Sequence, residues 1–264
     1  MNLKDKVVVI TGGGGGIGSA LGRRFAAEGA RAVILADRDE AAAKDAALAI
    51  GPPARGVACD VADDQQVLAL INGVEEREGP IDLYCSNAGI GSGTGLGATD
   101  AEWNEAWRVN VMSTVSAARH LVPRWTERGA GYLLVTASAA GLLTSLGDGA
   151  YSATKHAAVG LAEWILITHG DQGVKVSCLC PQGVRTKMVF GAASEGHIGI
   201  EQVRRLGVIE PEEVAEAVVE GLADERFLIL PHPQALDYFR AKAQDYGRWL
   251  GGMRKFQRQL QGRG

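Results

Sequence analysis

Tyr151 and Lys155 stand four residues apart in a stretch whose pattern predicts a helix over Tyr151–His169, so both side chains project from one face. A phenol with a pKa near 10 is a poor acid–base group at neutral pH. A neighbouring ammonium stabilises the phenolate and lowers that value. Ser138 lies thirteen residues upstream, just past the apolar run Tyr132–Thr136, where a strand would end. A hydroxyl there can hold a substrate oxygen as charge develops on it. Together the three could move a proton on or off an alcohol. Each also has a plainer reading, as a core aromatic, a solvated helix charge and a loop hydroxyl.

The second chemical signal is at the start of the chain. The apolar run Val7–Ile10 leads directly into Thr11-Gly12-Gly13-Gly14-Gly15-Gly16-Ile17-Gly18, and a helical pattern begins there. Glycines permit a tight turn and let backbone N–H groups approach a diphosphate at a helix N-terminus. A flexible surface turn is the alternative. No Gly-Lys-Ser/Thr follows, which argues against a P-loop. Asp37 comes 19 residues after Gly18, behind a second apolar run. A carboxylate there accepts hydrogen bonds from the adenosine ribose hydroxyls and repels a 2′-phosphate, which predicts NAD before NADP. Arg38 works against that preference, since it can pair with the phosphate or stack on adenine. Asp37 could instead merely cap the next helix.

Seven short apolar runs must carry these residues: Val7–Ile10, Ala32–Ala36, Gly56–Cys59, Leu83–Cys85, Tyr132–Thr136, Val174–Cys180 and Phe227–Leu230. Near-continuous apolar strands indicate burial on both faces. Helical patterns lie between them, over Ile17–Glu28, Glu40–Ile50, Asp64–Glu78, Ala101–Arg128 with Asp100 as N-cap, and from Pro211 onward. The alternation predicts an α/β fold, a Rossmann-like doubly wound, mostly parallel sheet of seven strands flanked by helices. In the tail, Leu236, Phe239, Ala243, Tyr246, Leu250 and Met253 recur at helical spacing and predict one appended amphipathic helix. The organisation expected is a single domain over 1–264, with a core at 3–231 and a helical extension at 233–264.

Composition narrows the function classes. The 264 residues hold 27 Lys+Arg against 31 Asp+Glu, a net charge of −4, which gives no support to a nucleic-acid binder. Hydrophobic residues at 46% argue against disorder. Cys59, Cys85, Cys178 and Cys180 do not form a disulfide scaffold in a chain this long, and read as buried strand residues. His120, His156, His169, His197 and His232 show no metal spacing, and His120 reads as structural. No apolar stretch reaches 18 residues and no signal-peptide pattern opens the chain, so no membrane span and a cytoplasmic setting are expected.

The motifs T-G-x3-G-x-G at Thr11–Gly18, S-N-A-G at Ser86–Gly89, Asn110, Ser138 and Tyr151-x3-Lys155 occur in the order of the short-chain dehydrogenase/reductase family. Over about residues 3–231 the chain resembles the single-domain branch of that family, since the extended branch has T-G-x2-G-x2-G. The resemblance implies an NAD(P)-dependent oxidoreductase that interconverts a secondary alcohol and a ketone by hydride transfer. Tyr151 would be the acid/base. Lys155 would hold the nicotinamide ribose and depress the phenol's pKa. Ser138 would bind the substrate oxygen, and Asn110 would position a water linking Lys155 to solvent. Gly12, Gly14, Gly15, Gly16, Ile17 and Gly18 would surround the diphosphate. Asp60 and Val61 would meet adenine. Asn87, Ala88 and Gly89 would shape the fourth-strand end, while Pro181, Val184, Thr186 and Met188 would lie about the nicotinamide. The family also implies a homotetramer or dimer, with Trp164 an interface candidate.

Two departures stand out. Ser86 replaces the usual first Asn of N-N-A-G, which alters a local hydrogen bond. Gln182 replaces the Gly of the usual P-G pair, placing a long amide near nicotinamide and substrate unless it points to solvent. For substrate, the stretch Lys187–Gly207, with Gly191, Gly196 and Gly199, reads as a long lid loop. Candidate pocket residues are Gly91, Ser92, Ala140, Leu142, Leu143, Ser145, Gln182, Met188 and Phe190 beside Ser138 and Tyr151. They are mostly apolar, and only Arg185 offers a charge for an anion, so a small hydrophobic alcohol or ketone is expected. An NADP-dependent reductase of 3-oxoacyl ketones and a non-catalytic NAD-binding sensor or scaffold remain as alternatives. The extension's Phe239, Tyr246 and Trp249 would pack on the parent domain or on another subunit.

Overall fold

The computed structural model describes residues 1–91, 93–191 and 197–262. Nine strands and eleven α-helices alternate along them: β1 (Val7–Thr11), α1 (Gly16–Ala27), β2 (Ala32–Asp37), α2 (Glu40–Ile50), β3 (Ala54–Ala58), α3 (Asp64–Glu78), β4 (Leu83–Ser86), α4 (Asp100–Trp107), α5 (Ser113–Arg128), β5 (Gly131–Thr136), α6 (Gly149–His169), β6 (Val174–Leu179), β7 (Gly183–Val184), α7 (Lys187–Phe190), α8 (Ile198–Leu206), β8 (Val208–Ile209), α9 (Pro211–Ala223), β9 (Leu228–Ile229), α10 (Gln234–Gln244) and α11 (Tyr246–Leu260).

Seven strands form one parallel sheet in the order β3-β2-β1-β4-β5-β6-β9. Every residue of β1 is buried, because successive side chains serve opposite cores. Val7 and Val9 pack with Val67, Ile71, Leu121, Trp125, Ala158 and Ile165 from α3, α5 and α6. Val8 and Ile10 pack with Leu21, Phe25, Val214, Val218 and Leu222 from α1 and α9. Strand order reverses between β1 and β4, and ligands bind outside the carboxyl ends of the strands at such a reversal.

Several elements differ from the sequence expectation for local reasons. The stretch Ala101–Arg128 is three pieces, not one helix: α4 and α5 flank a π-helical turn, Arg108–Met112. The N-cap of α4 is Thr99 rather than Asp100, in a capping box with Glu102. The short pair β7–β8 lies outside the main sheet and carries no apolar run long enough to announce it. The tail is two helices, because Asp245 leaves helical geometry and caps α11 by accepting from the Arg248 N–H. The supposed lid loop contains α7 and α8, and Gly196 within it lies outside the described residues.

Candidate active site

The glycine loop wraps the start of α1. Gly12 has φ +64°, and a Cβ on Gly18 would sit 2.1 Å from the Gly12 carbonyl oxygen, so both positions require glycine. Helix α1 has Gly15 as its N-cap, with no side-chain cap and no acidic residue in its first turn. Its positive end is therefore open to an anion. Across the cleft the Thr186 methyl lies 3.0 Å from where a Gly16 Cβ would be. Gly14, Gly15 and the Gly16–Thr186 gap fit the diphosphate of a dinucleotide, and Ile17 anchors the loop against the core.

Asp37 ends β2, its carboxylate accepting from the backbone N–H of Gly14 at 3.0 Å and of Asp39 at 3.1 Å. Asp39, not Asp37, caps α2, by accepting from the Ala42 N–H. That leaves Asp37 at the strand end, with the exposed Arg38 beside it. Asp60 accepts from the Ala62 N–H at 2.9 Å, and Val61 is buried next to it at the end of β3. At the β1–β4 reversal, Asn87 Nδ2 donates to the Thr11 carbonyl, while Thr11 Oγ1 accepts from the Asn87 and Ala88 N–H groups. Ser86 shares a hydrogen bond with the Thr114 hydroxyl of α5 at 2.8 Å.

Asp148 positions the catalytic candidates by capping α6, accepting from the Tyr151 N–H at 2.9 Å. Its other oxygen accepts from the Gly93 N–H at 2.8 Å. Burial pushes the Tyr151 phenol above its ordinary pKa; a hydrogen bond with Ser138 opposes this, and the charge of Asp148 adds to it. Lys155 Nζ lies 5.5 Å from the Tyr151 ring centroid and donates to the Thr136 carbonyl at 2.9 Å. Burial lowers its own pKa to about 8.

Ser138 lies two residues past β5 and accepts from the Ala140 N–H at 3.0 Å. Asn110 sits in the π turn, a geometry frequent at functional sites. Its side chain is taken up by the Ile90 N–H and carbonyl, each at 2.8 Å, and by Thr154 at 3.0 Å. A Cβ on Gly89 would come within 3.2 Å of Lys155 Nζ and 3.3 Å of Asn110 Oδ1, so a small residue keeps this corner open.

A cavity of about 470 Å³ opens beside these groups. It brings together Gly89, Gly91, Ser138, Ala140, Leu143, Ser145, Tyr151, Gln182 and Met188, all sequence candidates. Leu142 does not belong to it: that side chain is 5% exposed and packs in the core under α5 and α6. Phe190 borders neighbouring depressions beside Arg185 instead. Ser92 lies outside the described residues. Pro181 supplies its carbonyl to the Ala139 N–H at 2.8 Å, and Val184 is buried in β7.

Sequence reasoning missed the far wall, made of His197, Ile200, Gln202, Val203 and Leu206. Gln202 secures it: its Oε1 accepts from the Leu146 N–H at 2.8 Å and its Nε2 donates to the Thr144 carbonyl at 3.4 Å. The helical spacing of Val203 and Leu206 was the available signal. The extension also returns to the site. Lys242, 6% exposed, donates to the carbonyls of Leu142 at 2.7 Å and Leu143 at 3.3 Å, between the rings of Tyr246 and Trp249.

A dinucleotide cleft joined to a buried Ser–Tyr–Lys group defines a nicotinamide-dependent oxidoreductase. The short chain dehydrogenase family model matches residues 6–195, and the chain belongs to that family. The chain is 38% identical over 202 residues to the sex determination protein tasselseed-2 of Zea mays, covering 74% of this chain and 60% of that protein. It is 37% identical over 228 residues to the meso-2,3-butanediol dehydrogenase of Serratia marcescens, covering 85% of this chain and 90% of that protein. A short chain dehydrogenase/reductase of Burkholderia phymatum solved in complex with NAD superposes with a TM-score of 0.85 at 31% identity, over 93% of this chain and 95% of that one. The protein is an oxidoreductase acting on secondary alcohols and ketones, and it uses a nicotinamide cofactor. No helix among the described residues is long and apolar enough to cross a membrane.

Proposed function

We propose that the protein is an NAD-dependent dehydrogenase of small, largely apolar secondary alcohols, with Tyr151 as acid/base. The observation that carries this reading is the meeting of Tyr151 and Ser138 on a mostly apolar cavity, with Lys155 against the Tyr151 ring. The reaction converts an alcohol and oxidised cofactor into a ketone, reduced cofactor and a proton. Hydride acceptance is the chemistry that a nicotinamide bound there would supply. The Tyr151 phenolate takes the hydroxyl proton, and in reduction the neutral phenol returns it to the ketone oxygen. Ser138 holds that oxygen in both directions. Lys155 holds the nicotinamide ribose. Asn110, with its side chain committed to Ile90 and Thr154, keeps the corner beside Lys155 in the shape a relay water needs.

The position of Asp37 beside Gly14 supports NAD before NADP. Asp60 and Val61 form the adenine end, and Thr186 and Met188 the nicotinamide end. The described chain works as one unit, since its extension holds the site through Lys242. Trp164 at 58% and Ile167 at 82% exposure on α6 support a homo-oligomer. Four free buried cysteines accord with a reducing cytoplasm.

The test is a panel of secondary alcohols and ketones, read by absorbance of the reduced cofactor. Tyr151→Phe should lower kcat by about 10³-fold with dinucleotide affinity kept within a few-fold. Turnover retained in that variant would defeat the assignment.

A further inference from the structure

The cavity wall holds a polar group that the chemistry above does not use. Gln182, in the place after Pro181, donates its backbone N–H to His232 Nδ1 at 3.1 Å. Gln234, the first residue of α10, donates from Nε2 both to Gln182 Oε1 at 3.2 Å and to the Leu206 carbonyl at 3.4 Å. A carbonyl can only accept, so Leu206 fixes which end of the Gln234 amide faces inward. Gln182 must then answer with its oxygen, and its own NH₂ is turned away. That Gln182 Nε2 is buried and has no partner among the described residues. The same logic applies behind it: His232 accepts at Nδ1, so Nε2 carries the hydrogen, and Nε2 too is buried without a partner among the described residues.

Buried donors in folded proteins are nearly always paired, and an unpaired one on a residue that lines a ligand cavity points to a ligand acceptor there. Gln182 lines the same cavity as Tyr151 and Ser138, among Leu143, Ile200 and Leu206. The clamp that aims it comes from Leu206 on the substrate wall and Gln234 in the extension, away from the glycine loop. We propose that Gln182 Nε2 donates to a second oxygen of the substrate. The preferred substrates are then hydroxyketones or diketones and their diols rather than monofunctional ketones. This rests on the proposed reading of Tyr151 as the group that protonates the first oxygen. Gln234 is a positioning residue, since it acts only through the orientation of Gln182.

The test compares cyclohexanone with 2-hydroxycyclohexanone and 4-hydroxycyclohexanone, for the wild type, Gln182→Leu and Gln234→Leu. Intrinsic reactivity cancels in the ratio of kcat/KM between the hydroxyketone and cyclohexanone within one enzyme form. That ratio should fall about 10- to 100-fold in Q182L for at least one hydroxyketone, and by a smaller factor in Q234L. An unchanged ratio in Q182L overturns the proposal, and a changed KM for the dinucleotide at unchanged ratio reassigns the amide to the cofactor. Calorimetric binding of the same ketones, measured in the presence of dinucleotide, separates the two readings. Selective loss of hydroxyketone affinity in Q182L, with no turnover by any form, keeps the subsite and defeats the oxidoreductase role of Tyr151. Binding of none of the ketones overturns both.

Discussion

The two walls of the active-site cleft are built by different means. The dinucleotide wall is backbone: glycines that tolerate no Cβ, strand ends in fixed register, and Thr11 lacing β1 to the chain after β4. The substrate wall is held by single side chains reaching between distant elements, Gln202 to the loop 144–146, Gln234 to Gln182, and Lys242 to Leu142 and Leu143. A backbone cradle suits a ligand whose diphosphate is invariant. Side-chain ties can be exchanged one at a time, so the wall that meets the variable substrate can change without disturbing the sheet.

That contrast makes graded predictions. The largest concerns the backbone wall. Gly18→Ala would press a methyl against the Gly12 carbonyl, so dinucleotide affinity should fall by more than about 100-fold and stability by about 3 kcal/mol. Calorimetric titration and thermal melting would read both. A variant that still binds dinucleotide normally would mean the loop is not the diphosphate cradle.

At the far end of the same wall, Asp37→Ala removes the charge opposed to a 2′-phosphate. The ratio of kcat/KM for NADP over NAD should rise about 10- to 50-fold. An unchanged ratio would move the discrimination to Arg38 or elsewhere.

On the substrate wall, Lys242→Met removes two hydrogen bonds to the loop that carries Leu143. The ketone KM should rise several-fold with kcat nearly constant and dinucleotide affinity untouched, and stability should fall by about 1–2 kcal/mol. Lys242→Arg should recover part of the loss. Equal effects on both ligands would erase the distinction between the walls.

The smallest effect is in pH dependence. Burial raises the Tyr151 pKa, so its phenolate is populated only on the alkaline side, and oxidation should speed up as pH rises. Reduction needs the neutral phenol and should be flat at neutral pH. It should decline several-fold above about 8, where Lys155 loses its charge. Rate profiles in both directions check the signs, and Lys155→Met should remove the decline near 8.

Legibility followed the same division. The apolar runs predicted the seven strands of the main sheet to within a few residues, because strands buried on both faces leave an unbroken apolar signature. Ser138, Tyr151 and Lys155 were visible as residue types past a strand end and on one helix face, whereas Asn110 was visible only through the family resemblance. The break at Asp245 was hidden because helical spacing continues across it from Ala243 to Tyr246. The far wall was hidden because Gln202 is a polar residue in an unremarkable helix, and only its partners, Leu146 and Thr144, give it a role.

By itself the sequence determined the α/β alternation, the glycine turn and the spacing of the Tyr151–Lys155 pair, since each follows from local sterics and period. Tertiary structure alone decided that Leu142 is core and Leu143 is cavity, that burial raises the pKa of the Tyr151 phenol, and that Gln234 pairs with Gln182. Desolvation and hydrogen-bond direction depend on which distant atoms surround a group, and no local pattern records that.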